Sequence, residues 1–113
     1  MKEGAIMTGE VFTLLNGEEV NLSLSFGRLH LLKRLNPSLY EDFNKILYGK
    51  SDDILDLVTM VYVGYWCANY GKTENLYKQD DFYELVDFNA SELSRVFTAL
   101  TQPKKSRFSK TFY

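Results

Sequence analysis

The sequence predicts a mainly α fold, an N-terminal β-hairpin packed on a compact bundle of about five helices, and three observations lead to it. Asn16-Gly17 separates two apolar-rich runs, and in the second Val20, Leu22, Leu24 and Phe26 alternate with Asn21, Ser23 and Ser25, the period of a half-buried strand. From Gly27 the apolar spacing changes to three and four, the period of one helix face. The segment Ile54 to Tyr70, ILDLVTMVYVGYWCANY, is apolar on nearly all sides, as a helix surrounded by other elements must be.

The hairpin comes first. Asn16 and Gly17 tolerate the positive φ that a two-residue turn requires. An even loop of this kind sets Val11, Thr13 and Leu15 beside Val20, Leu22 and Leu24, whereas a one-residue bulge would present Phe12 and Leu14 instead. The even loop is the expectation. An isolated hairpin is marginal in water, so its apolar face must pack on the helices that follow.

Leu29, Leu32 and Leu35 then form a short helical stripe beside Arg28, Lys33 and Arg34, and Asn36-Pro37 breaks it. The same pair opens a second helix, with Asn36 as N-cap, Pro37 at the first helical position, an apolar face of Leu39, Phe43, Ile46 and Leu47, and a stop at Gly49. Ser51 is the expected N-cap of the central helix, with Asp52 and Asp53 opposing the positive end of its dipole and the helix ending near Gly71. Lys72 to Gln79 is polar and reads as a loop or a frayed turn. Asp80 or Asp81 is expected to cap a short helix carrying Phe82, Leu85 and Val86. Asn89-Ala90-Ser91-Glu92 has capping-box spacing and opens a last helix with Leu93, Val96, Phe97 and Leu100 on one face, closed by Pro103. The expected organisation is a flexible leader over 1–9, a single domain over 10–102 and a basic flexible tail over 103–113.

With 113 residues, 45% hydrophobic and 15% aromatic, the chain can bury one core but not two. A formal net charge of -2 argues against a protein that works by wrapping nucleic acid, which needs a surplus of cations to neutralise phosphate. The single cysteine, Cys67, excludes an intramolecular disulfide and a cysteine-cluster metal site and fits a reducing, cytoplasmic setting. MKEGAIMTGE lacks the apolar centre of a secretion signal, and Leu57 to Ala68 is too short an apolar run to span a bilayer, so no membrane role is expected.

No segment matches a phosphate-cradling glycine loop, a nucleophile elbow, a paired-histidine metal site or a Ser/His/Asp arrangement, so no catalytic, cofactor-binding or metal residue is assigned and the chain is read as a non-enzyme. His30, the single histidine, has leucine neighbours on either side and reads as structural or solvent-facing. Cys67 lies in the most apolar helix with no local cation or helix N-terminus to activate it, and reads as an inert core thiol. Glu41-Asp42, Asp52-Asp53 and Asp80-Asp81 each fall near an expected helix start, where carboxylates are favoured without a metal. Tyr62, Tyr65, Trp66 and Tyr70 read as mostly core. The candidate partner-binding residues are in the tail: Lys104, Lys105 and Arg107, with Lys110, are its charge asymmetry, and Phe108, Phe112 and Tyr113 are out of place in a merely solubilising tail. A peptide that orders on a protein partner is the preferred reading of that tail, and a small DNA-associated regulatory protein using it is the alternative.

The hairpin with its Asn-Gly turn, Ser-Phe leading into a Leu-rich short helix, the hydrophobic central helix, and DDFYELVDFNASELSRVFTALTQ together resemble the small tail assembly chaperones of long-tailed phages and prophages of Gram-positive bacteria. The likeness covers Phe12 to Gln102 and rests on element order and on phrases such as Leu14-Leu15-Asn16-Gly17-Glu18-Glu19 and Phe82-Tyr83-Glu84-Leu85-Val86. The resemblance implies a viral morphogenesis protein of the bacterial host cytoplasm, absent from the finished virion. Such a protein coats the long, aggregation-prone tape measure protein, keeps it soluble and helps recruit tail tube protein. Self-association and, in many relatives, a frameshifted longer form go with that role.

Overall fold

The structure is a computed structural model, and it describes residues 8–49 and 53–101. It is mainly α, with an N-terminal antiparallel hairpin packed on five helices among those residues. The order is β1 (Thr8–Thr13), β2 (Glu19–Leu24), α1 (Phe26–Leu35), α2 (Pro37–Gly49), α3 (Ile54–Asn69), α4 (Gln79–Glu84) and α5 (Ala90–Thr101).

The hairpin forms with the register opposite to the one expected. Phe12 pairs with Val20 and Glu10 with Leu22, so Phe12 and Leu14 are buried while Val11 and Leu15 are 53% and 60% exposed. The physical reason is the parity of the loop. Leu14 N–H donates to Glu18 O and Gly17 N–H to Leu14 O, both at 2.9 Å, so Leu15-Asn16 are the central pair of the turn and Gly17, at φ 88°, follows as the bulge residue. That odd, three-residue loop moves every side chain of β1 to the other face. Asn16 Oδ1 accepts from the Glu18 N–H at 3.0 Å, the local bond that suits asparagine to this position.

Helix α3 is the axle of the molecule. Met60 through Cys67 are all buried, and the helix packs on β2 and on each of the other four helices. Gly64 permits a close approach to α5 and β2: a Cβ at that position would lie 3.0 Å from Leu100 Cδ1 of α5 and 3.4 Å from Leu22 Cβ of β2. The core collects Phe12, Val20 and Leu22 from the sheet, Leu32, Leu39 and Phe43 from α1 and α2, Phe82 from α4, and Leu93, Val96 and Leu100 from α5.

Capping explains most element ends. Ser25 Oγ accepts from Arg28 N–H at the start of α1. Asn36 ends α1 by donating its N–H to Leu32 O at 2.7 Å and opens α2 by accepting from Leu39 N–H at Oδ1, 3.2 Å, so one residue serves both helices. Asp53, not Ser51, is the N-cap of α3, its carboxylate accepting from Leu55 N–H at 2.9 Å; Ser51 and Asp52 lie outside the described residues. The N-cap of α4 is Lys78 with no side-chain cap bond, so Asp80 and Asp81 serve in the first turn and not as the cap. Asn89 Oδ1 accepts from Glu92 N–H at 3.1 Å, but the box closes only on that side: the Glu92 carboxylate turns to Arg95, and the Asn89 N–H goes to Asp87 O. Pro103, expected to close α5, lies outside the described residues.

Candidate interaction surfaces

Among the described residues, the titratable side chains singled out in the sequence have definite places. His30 is exposed on α1. Cys67 is 1% exposed, and burial pushes its thiol up to about 12, so almost none is thiolate at neutral pH. Asp53 caps α3, Asp80 and Asp81 lie in the first turn of α4, and Glu41 and Asp42 sit beyond the first turn of α2, further from the helix start than expected. Among the described residues no group of three or more His, Cys, Asp and Glu side chains could hold a metal ion. Among them, too, no helix is long and apolar enough to cross a membrane.

The aromatic side chains of α3 are core, and they also organise a surface. Tyr62, Tyr65 and Trp66 are buried, and Trp66 stacks on the more exposed Tyr70 at 4.5 Å and 18°. Arg28 ties α1 to this end of α3. Its Nε donates to Cys67 O at 2.9 Å and its Nη2 to Tyr70 O, a cation on the carbonyls that a helix C-terminus leaves unpaired.

Tyr62 and Tyr65 point their hydroxyls at the polar segment before α4. Tyr65 Oη accepts from the Tyr77 N–H and Tyr62 Oη donates to the Tyr77 O, each at 2.8 Å. Phe82 completes the layer, stacked on Tyr65 at 4.7 Å and edge-on to Tyr62 at 5.3 Å. Burial raises the phenols of both Tyr62, to about 12, and Tyr65. Tyr77 in turn reaches the hairpin: its Oη donates to Glu18 Oε1 at 2.5 Å and lies 3.5 Å from Asn16 Nδ2. The bond to Glu18 is the main reason the Tyr77 phenol is raised. Leu15 N–H donates to Leu85 O at 2.7 Å, fixing the other side of the hairpin tip to the end of α4. A similar tie joins α5 to β1, where Arg95 bridges Glu92 at 2.9 Å and Glu10 at 3.3 Å and holds the Glu92 carboxyl below its usual range.

Several large apolar side chains are uncovered. Phe26 at the start of α1 is 92% exposed and Phe88, before α5, is 85% exposed. Leu47 and Tyr48 near the end of α2 and Leu55 in the first turn of α3 are exposed as well, Tyr48 to 79%. The two helices α2 and α3 line an open cleft of about 400 Å³ with Asp42, Lys45, Ile46, Gly49, Asp56 and Thr59.

The candidate partner-binding residues Lys104, Lys105, Arg107, Phe108, Phe112 and Tyr113 lie outside the described residues. Two side chains depart from what the sequence indicates. Leu47, expected on the apolar face of α2, is exposed, and Tyr77, expected in a loop or frayed turn, ties α3 to the hairpin; the apolar pair Leu76-Tyr77 in an otherwise polar stretch is the signal for it. Comparisons with protein-family models, with curated proteins and with solved structures find no match for this chain.

Proposed function

We propose that this chain is a non-enzymatic phage tail assembly chaperone that binds the tape measure protein, keeps it soluble and helps recruit tail tube subunits in the host cytoplasm. The proposal starts from the resemblance of Phe12 to Gln102, whose element order is also the order of the folded chain. The observation that supports it is the exposure of the large apolar side chains Leu47, Tyr48, Leu55, Phe26 and Phe88 on a body with a well-packed core. Side chains of this kind supply the apolar contacts of protein interaction sites when a partner covers them together. A helix of a client protein docks such side chains through its own apolar stripe, at modest affinity per contact, and a long client offers that stripe many times.

Coexpression with a tape measure protein as the client tests the reading. The client is expected in the soluble fraction with the chain and in the pellet without it, and the triple substitution Leu47→Ser, Tyr48→Ser, Leu55→Ser is expected to return it to the pellet while the domain stays folded. A client equally soluble with and without the chain overturns the proposal. Retention of the chain on duplex DNA at physiological salt, abolished when Lys104, Lys105, Arg107 and Lys110 are neutralised, would replace it with the regulatory reading.

A further inference from the structure

We propose that the outer edge of β1 pairs with the same edge of a second copy of this chain, antiparallel about a two-fold axis at Val11, so that two hairpins join into one four-stranded sheet. The strand geometry carries this without the chaperone reading. Along an antiparallel ladder the backbone groups of successive residues turn alternately towards the partner strand and away from it. The loop fixes which residues do which. Leu14 N–H bonds across to Glu18 O, so Phe12 and Glu10 bond across to Val20 and Leu22, while Gly9, Val11 and Thr13 turn their N–H and C=O away from β2. The bond from Asn69 Nδ2 to Asn21 O at 2.9 Å agrees, because Asn21 is the register partner of Val11 and its carbonyl is turned outward too.

The two edges of the sheet differ. On β2, Asn69 takes the Asn21 carbonyl and Gly64 brings α3 close, a Cβ there lying 3.8 Å from Ser23 N. On β1, no hydrogen bond satisfies the outward groups of Gly9, Val11 and Thr13 among the described residues. The free run stops at the hairpin tip, where Leu15 N–H donates to Leu85 O. Devices that protect an edge are missing as well: β1 has no lysine and no proline, and its one charge, Glu10, is paired with Arg95. Only an extended backbone satisfies such an edge, and the strand itself has the matching pattern. With Val11 opposite Val11 of the second copy, Gly9 falls opposite Thr13 and Thr13 opposite Gly9, so each outward donor and acceptor of one edge meets its complement on the other. The exposed valine side chains lie side by side across the axis. Glu10 falls opposite Phe12, so no like charges are opposed.

Sedimentation velocity of the full chain, from about 10 μM to about 1 mM, tests the pairing. So short an edge supports a weak dimer, and the mean mass is expected to rise from that of one copy towards two across this range. Val11→Lys, which sets like charges across the axis, is expected to weaken association about fivefold. Val11→Pro removes only an outward N–H and is expected to abolish association while thermal unfolding stays nearly unchanged. Mild oxidation of Val11→Cys and of Leu15→Cys reads the register, Cys67 being buried. In the proposed pair the two Cα atoms at position 11 are about 5.5 Å apart, within disulfide reach, and those at position 15 about 26 Å, so only Val11→Cys is expected to give a covalent dimer. Association unchanged in both Val11→Lys and Val11→Pro, or equal cross-linking at the two positions, overturns the proposal. A chain that stays single at about 1 mM overturns it too, and if deleting residues 1–7 then permits association, the edge belongs to that segment instead.

Discussion

Gly64 shows how a single side chain sets the geometry of this core. It gives up roughly 1 kcal/mol of helix propensity relative to alanine so that Leu22 and Leu100 can close on the middle of α3. Gly64→Ala is expected to be nearly neutral, as the gain in propensity offsets a tight contact with the movable end of Leu100. Gly64→Val is expected to cost about 1–3 kcal/mol by overpacking, read as a lower midpoint of denaturant unfolding. Val61, fully buried in the same turn, sets the upper limit of sensitivity. Val61→Asp places an unpaired charge in the core at a cost of several kcal/mol against a total stability of roughly 5–15, and circular dichroism is expected to show an unfolded chain. Cys67 and Tyr62 govern the alkaline limb. Each is ionised more readily in the unfolded chain, near 9.0 and 10.0, than in the folded one, where burial pushes both to about 12. The folded state therefore holds protons that the unfolded state has released, and stability is full below pH 9 and falls as pH rises towards 12, by about 1.4 kcal/mol per pH unit for each group. Cys67→Ala is expected to flatten the part of that fall that begins near pH 9, measured by urea unfolding across the range.

Among the elements, the helices were legible and the hairpin face was not. The apolar stripes of α2 and α5, the continuous apolar surface of α3, and the double duty of Asn36 are local signals, and the helices appear where their period places them, apart from shifts of the caps of α3 and α4. Helix α4 also ends early, at Glu84, which leaves Leu85 as its C-cap and Val86 beyond it instead of on the helix as expected. The register of β1 turned on one residue of loop length. Asn16-Gly17 fits both a two-residue turn and a three-residue loop ending in a bulge glycine, so only the burial of Phe12 and Leu14, a tertiary fact, decides. Gly17→Ala is expected to destabilise the domain by about 1 kcal/mol or more, because alanine at φ 88° is strained, while Asn16→Ala costs less. Asn89→Ala, which removes the one side-chain bond at the start of α5, is expected to cost about 1 kcal/mol. Thermal unfolding of the three variants ranks these effects.

At the scale of the whole molecule, long-range ties that no local pattern announces join the helices to one another and to the hairpin. Arg28 on the end of α3, Arg95 across to Glu10, and Tyr77 between α3 and Glu18 each link residues far apart in sequence. The basic tail drew attention in the sequence because charge asymmetry is visible in one dimension. The exposure of Leu47, Tyr48 and Leu55 is visible only in the folded chain. On the proposed chaperone reading, these side chains must be used many times over along one client. Light scattering of the purified complex, separated by size, measures the number of copies directly. Many copies of this chain per client, falling to none with Leu47→Ser, Tyr48→Ser, Leu55→Ser, is the result expected; a single copy per client, or a client that elutes alone, contradicts the assignment.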